Sequence, residues 1–253
     1  MIMDGDNVVN KFTIYPLIPL IDLISTYQGE GPNAGRKMVL ARFKYCNKRC
    51  PFCDTWKMME KQECSYYRME DIEEMLKSSP NLMITGGEPT IKSKYPNSKE
   101  KSDISQYDFT MLMAENLDYD YLDIETNGLH IIDLYDDISK LPSKNINISW
   151  SPKFISKEDY GDNIVKLIHI VDSDPLRQKH VTIKIVIGKG MDDYIRFATE
   201  AIEKYKFNSN NMYLMPEGVN LEGINNSFPV VLDLANKLHC NISSRLHVVH
   251  NFV

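Results

Sequence analysis

Cysteine is scarce in this chain: five occur in 253 residues, at positions 46, 50, 53, 64 and 240. Three are clustered and two are scattered, which is not the pattern of a secreted disulfide framework, so a reducing, cytoplasmic compartment is expected. Long apolar runs are missing too. The most apolar early stretch, "IYPLIPLIDLI", holds two prolines and Asp22 and is too short to span a bilayer. The first residues, "MIMDGDNVVNKF", have neither the basic opening nor the apolar core of a signal peptide, so no membrane partner is expected. Nor is there an excess of positive charge. The formal net charge of −6 argues against a broad grip on nucleic acid, though not against a small anionic substrate held by a few local basic groups.

What is present is ordinary in bulk, with 43% apolar and 25% charged residues, and the length suits one α/β domain of barrel type over residues 1–253. Strand-like and helix-like segments alternate. "KMVLARF", "NLMITGGEP", "YLDIETNG", "INISWSPK", "VTIKIVIGKG" and "NMYLMPEG" read as strands, and "SRLHVVHNFV" as a terminal one. "RMEDIEEMLKSS", "FTMLMAENL", "DDYIRFATEAIEKY" and "FPVVLDLANKLHC" read as helices. This order implies right-handed βαβ units and a parallel sheet, open or closed into a barrel. Ligands collect at the C-terminal strand ends of such sheets. Here those ends carry the unusual chemistry. The polar, Lys- and Ser-rich stretch 91–106 reads as a surface insertion.

In "YCNKRCPFCDTW", Cys46, Cys50 and Cys53 follow C-x3-C-x2-C, a spacing that can turn three thiolates toward one point. A closed structural zinc site wants a fourth Cys or His, but Cys64 is eleven residues on and no His precedes position 130. A [4Fe–4S] cluster is held by thiolates, and with only three supplied one iron keeps an open position. The spacing alone leaves several readings standing: an open-iron cluster, a zinc loop completed from a distance, or plain buried thiols.

Together with "GGEP" at the end of the next strand, the cysteine loop resembles the radical S-adenosylmethionine (SAM) superfamily. More narrowly, "STYQGEGPNAGRKMVLARFKYCNKRCPFCDTW" resembles the 7-carboxy-7-deazaguanine synthase family of queuosine and 7-deazapurine biosynthesis. "TGGEP", "ETNG", "SPK", "IKIVI", "YLMPEG" and "RLH" follow in family order. The resemblance implies an α/β fold, a modified, incomplete (β/α) barrel with a mostly parallel sheet. It implies a carbon–nitrogen lyase that contracts 6-carboxy-5,6,7,8-tetrahydropterin to 7-carboxy-7-deazaguanine with loss of ammonia. A [4Fe–4S] cluster, SAM as a reusable cofactor and Mg²⁺ come with it, as do an electron donor such as flavodoxin or ferredoxin and a homodimer. A glycyl-radical-enzyme activase shares the cysteine loop but would leave "QGEG" and Cys-Asp-Thr unused. A non-catalytic zinc-binding module is the alternative of another class.

Residue by residue, the resemblance assigns Cys46, Cys50 and Cys53 to the cluster and Thr55 to Mg²⁺, a hard cation that keeps waters and borrows substrate oxygens. Tyr27, Gln28, Gly29, Glu30, Arg42 and Thr85 are expected to meet the pterin, Arg42 because its fork suits a planar anion. SAM is expected to meet Phe52, Cys53, Asp54, Gly86, Gly87, Glu88, Glu125, Asn127, Ser151, Lys153, Met215 and Pro216. In this reading Gly86 and Gly87 let the backbone approach the methionine moiety where a Cβ would obstruct it, and Glu88 accepts from its ammonium. His247 fits the family's "LH", and His250 is a second substrate-facing group. The C-terminus stops short of the longer tail seen in that family, and Cys64 and Cys240 are expected only to pack.

Overall fold

The structure is a computed structural model that describes residues 15–51, 53, 55, 60–94, 104–141, 145–172 and 181–250. Its sheet is built from β2 (Asp22–Tyr27), β3 (Lys37–Phe43), β5 (Asn81–Gly86), β6 (Tyr121–Thr126), β7 (Ile146–Trp150), β8 (Val181–Ile187), β9 (Met212–Pro216) and β10 (Asn241–Ile242). The order is β10-β9-β8-β7-β6-β5-β3-β2, with β2 antiparallel to β3 and every other pairing parallel. Among the described residues the sheet does not close on itself, so the expected incomplete barrel is an open sheet with β2 along one edge. A small antiparallel pair, β1 (Ile18–Leu20) and β4 (Ser65–Tyr67), stands beside it.

Seven helices occupy the connections and the C-terminal end among the described residues: α1 (Met69–Leu76), α2 (Gln106–Asn116), α3 (Ile131–Ile138), α4 (Glu158–Asp172), α5 (Asp192–Glu203), α6 (Leu221–Leu238) and α7 (Leu246–Val249). None is long and apolar enough to cross a membrane. Both faces of the parallel strands are covered, so alternation appears as a difference of chemistry rather than of exposure. Ala41, Phe43, Ile84, Ile124, Ile148, Trp150, Ile183, Ile185 and Leu214 join the helices in the main core. On the other face, the intervening Arg42, Asp123, Ser149 and Lys184 are buried, Thr85 and Glu125 are half-buried, and all but Asp123 line a cavity. A polar side chain buried there needs a hydrogen-bond partner.

Three expectations change. Within "SRLHVVHNFV", Leu246–Val249 is a helical turn rather than a strand, and residues 251–253 lie outside the described residues: the Val248 and Val249 N–H groups donate to the Arg245 carbonyl and that of His250 donates to Leu246. β-Branched residues favour strands, but backbone docking of Leu246 overrides that propensity. The late helix begins at Leu221, not Phe228, and runs through Pro229. Asn220 caps it by accepting from the Gly223 N–H at 2.9 Å, and Ile224, Val231, Leu234 and Leu238 bury one stripe. Finally, residues 95–103 of the expected insertion lie outside the described residues, but its end is built into the core. Ser105 caps α2, and Gln106 is buried.

Candidate active site

A cavity of about 640 Å³ opens at the C-terminal ends of the strands. Its first wall is the cysteine loop after β3. Cys46, Cys50, Cys53 and Thr55 all line it, and Thr55 Oγ1 lies 3.4 Å from Cys53 Sγ. The loop is anchored at its flanks. Lys48, which also lines the cavity, pairs with Asp159, whose carboxylate accepts from the Ile155 and Ser156 N–H groups ahead of α4. Gln106 cross-links the loop to the next strand end: its Nε2 donates to the Tyr45 and Glu88 carbonyls at 3.0 and 2.6 Å. Burial pushes the Cys46 thiol up to about 11 and also raises Cys50, although Lys153 and Lys48 oppose it there. Among the described residues, no group of three or more His, Cys, Asp or Glu side chains is yet gathered at metal-ligand distances. The donor set is still the right one for iron and sulfide: three soft thiols on one wall, each able to become a thiolate when a cationic group arrives.

The glycines of "GGEP" serve a different packing need from the one expected. A Cβ on Gly86 would lie 2.3 Å from the Phe43 carbonyl oxygen, and its φ of +108° is glycine territory. One on Gly87 would lie 2.0 Å from the carbonyl oxygen of Tyr45. These residues extend the β3–β5 ladder, with Gly87 N–H donating to Phe43 and Glu88 N–H to Tyr45 at 2.9 and 2.7 Å. The obstruction is therefore with the cysteine-bearing chain itself. Both glycines also face the cavity.

Glu88 is fully buried. Its carboxylate accepts from Thr90 and Thr126 hydroxyls and from the Thr90 and Asn127 N–H groups, tying "GGEP" to "ETNG". It has no oxygen turned to the cavity for the expected contact with an ammonium. Asn127 lines the cavity, with Nδ2 2.8 Å from Asn47 Oδ1. Ser151 and Lys153 line it together, the ammonium donating to the hydroxyl at 2.8 Å. Met215 lines it, whereas Pro216 is buried beside it without facing it. Phe52 and Asp54 lie outside the described residues.

The opposite wall is ionic. Glu30 Oε1 accepts from Arg245 Nε at 3.1 Å, and its Oε2 faces Lys184 Nζ at 3.2 Å. The same ammonium donates to Glu125 Oε1 at 2.6 Å, and Thr85 Oγ1 donates to Glu125 Oε2 at 2.9 Å. Gln28 Nε2 lies 3.0 Å from Asp123 Oδ2 and 3.1 Å from Glu125 Oε1, so its amide holds two carboxyls rather than facing open space. Burial alone would raise the Glu30 carboxyl, but the charges of Lys184, Arg245 and His247 hold it well below the usual range. Asp123 goes the other way, pushed up by burial and by Glu125.

Arg42 and Asp22, opposite one another on β3 and β2, pair at 2.9 Å beside the cavity. Tyr27 and Gly29 line the rim, and the His247 ring packs on Gly29. His250 is exposed and does not face the cavity, because the helical turn at Leu246–Val249 carries it outward. Sequence reasoning missed Lys184, Arg245, Asp22, Asp123 and the Lys48–Asp159 anchor. A signal existed for Lys184, a lone cation inside "VTIKIVI".

Residues 41–228 match the family described as Radical SAM superfamily. The chain belongs to the radical SAM superfamily. A radical SAM protein carries a [4Fe–4S] cluster and uses SAM, and the three thiols of the cysteine wall are of the kind that holds such a cluster. Among curated relatives, the 7-carboxy-7-deazaguanine synthase of Haemophilus influenzae is 29% identical over 201 residues, covering 79% of this chain and 76% of its own. That of Methanothermobacter thermautotrophicus is 30% identical over 192 residues, covering 70% and 67%. The crystal structure of QueE from Escherichia coli superposes with a TM-score of 0.54 at 17% identity, covering 91% of this chain and 95% of that one, and so shares the fold.

Proposed function

We propose that this radical SAM protein is a 7-carboxy-7-deazaguanine synthase, contracting 6-carboxy-5,6,7,8-tetrahydropterin with loss of ammonia in 7-deazapurine biosynthesis. The observation that carries the reading is that one cavity holds the cysteine loop on one wall and the Glu30–Glu125 ionic wall on the other. A cofactor and a polar heterocycle can thus lie side by side in it.

When bound, the cluster and SAM supply a hydrogen-abstracting 5′-deoxyadenosyl radical, hard chemistry that the protein only positions. Cys46, Cys50 and Cys53 would hold the cluster, and Ser151, Lys153 and Asn127 would meet the polar ends of SAM. Glu30 and Glu125 offer carboxylate oxygens to ring N–H donors, while Arg42, already beside Asp22, offers N–H groups to an anion. Thr55 would offer a hard hydroxyl oxygen to Mg²⁺. Tyr27 and His247 close the rim and limit water.

The whole chain acts as one radical-SAM domain in the cytoplasm, works as a homodimer, and takes its electron from flavodoxin or ferredoxin. The test is anaerobic assay of the reconstituted protein with the carboxypterin, SAM, Mg²⁺ and a reductant. Formation of 7-carboxy-7-deazaguanine is expected. SAM cleavage that the pterin does not stimulate, with no such product, would overturn the reading.

A further inference from the structure

Lys184 is the most enclosed cation of the cavity. Its side chain is 3% exposed, in the middle of an otherwise apolar strand. A lone buried ammonium is expensive unless paired, and this one is paired twice, with Glu125 on β6 and with Glu30 on the segment after β2. The stem is held as well. Gly31, at φ +70°, lies so close that a Cβ there would come 3.1 Å from Lys184 Cδ, and the Gly31 N–H donates to Ser243 Oγ at 2.7 Å. The other charged or titratable groups facing this cluster are Tyr121 and Asp123 from β6 and Arg245 and His247 from the C-terminal segment.

We propose that Lys184 is a positioning residue that balances the charge of Glu30 and Glu125 and fixes them as a matched pair of acceptors. It thereby sets the cavity's preference for a ring edge bearing adjacent N–H donors. The proposal rests on the carboxypterin reading for the identity of that ring. Three observations support it. Each carboxylate has a second, separate anchor: Thr85 Oγ1 on Glu125 Oε2 and Arg245 Nε on Glu30 Oε1. The ammonium therefore fixes the relation between the two rather than either alone. Burial by itself would favour a neutral amine, but Glu125, Glu30 and Asp123 outweigh it and hold the lysine charged. Without that charge, the Glu30 and Glu125 carboxyls would lie side by side on this wall with Arg245 as the one directly bonded cation, an arrangement that favours proton uptake.

Lys184→Met removes the charge and keeps most of the stem. Carboxypterin binding to the anaerobic, reconstituted holoenzyme, followed by titration calorimetry, should weaken about 30-fold or more near neutral pH. Relative to wild type at each pH, that loss should diminish as pH rises over about 5 to 8, because carboxyls left without the ammonium take up protons at the acid end of that range. Lys184→Arg, which keeps the charge, should follow the wild-type profile. A Lys184→Met profile parallel to wild type would overturn the proposal whatever the affinity, since direct contact or packing brings no new titration.

Thermal unfolding reads the same point without the pterin. Lys184→Met should lose stability as pH rises over about 5 to 8, because its folded state then binds more protons than the unfolded chain. Adding Glu125→Gln should remove most of that slope. Should the wild-type protein bind no carboxypterin, the functional reading fails, and this arm still decides the lysine: an unchanged slope would overturn it.

Discussion

The imidazole of His247 packs so closely on Gly29 that a Cβ at position 29 would come 2.2 Å from its Nδ1. Beside it, the Leu246 N–H donates to the Gly29 carbonyl at 2.9 Å. Two motifs from opposite ends of the chain thus form one rim of the cavity. Gly29→Ala should push the ring aside, because the clash is with a side chain that can rotate. The expected cost is about 1 kcal/mol in stability, with iron content retained and KM for the carboxypterin raised several-fold. An unchanged KM would show that the rim does not touch the substrate.

Gly87→Ala should behave differently, because the added Cβ meets the backbone oxygen of Tyr45 at 2.0 Å. Backbone paired in a ladder cannot move aside without breaking hydrogen bonds. The variant should unfold several degrees lower, at a cost of about 1–3 kcal/mol, and should assemble its cluster poorly. Thermal unfolding and iron content measure both.

Anaerobic reconstitution should give about four irons and four sulfides per chain. Replacing Cys46, Cys50 or Cys53 by Ala should abolish this. Cys64→Ala and Cys240→Ala should retain it, because both thiols pack against the main core. Iron lost in the Cys64 variant would add a ligand to the set.

Thr55→Ala should keep the iron and SAM binding while weakening the Mg²⁺ dependence of turnover. Titrating Mg²⁺ against rate measures it, and a response identical to wild type would remove Thr55 from the metal site.

Acid unfolding should report Glu30. Its folded carboxyl is held well below the ordinary value, so its contribution is complete above the unfolded value of about 4.3 and is lost as pH falls through the folded one. The stability difference between wild type and Glu30→Gln should be constant above about pH 5 and shrink below about pH 4. A difference that grew on acidification would reverse the sign assigned to Glu30.

Much of this was legible in local patterns. Period-two alternation in "YLDIET" marked a strand, the spacing of Met69, Ile72 and Leu76 marked a helix, and C-x3-C-x2-C marked the cysteine wall. These signals depend on neighbours within a few residues, so a linear reading recovers them. α3 and α4 were not read from the pattern, and α6 was read from Phe228 although it starts at Leu221 and runs through Pro229. Burial of one face of α6 outweighs the lost hydrogen bond there.

The sequence by itself determined the strand and helix alternation, the thiol set and the polar strand ends. Only the tertiary structure decided which of these groups meet. Glu88 proved to be a clamp between two loops rather than a ligand-facing acid: Thr90, two residues on, supplies two of its donors, but those of Thr126 and Asn127 reach it only through the parallel pairing of β5 and β6. Lys184 joined Glu30 across 154 residues and Arg245 joined it across 215. A charge buried in a strand must find its counter-charge wherever the sheet brings one within reach, and no local spacing records that distance.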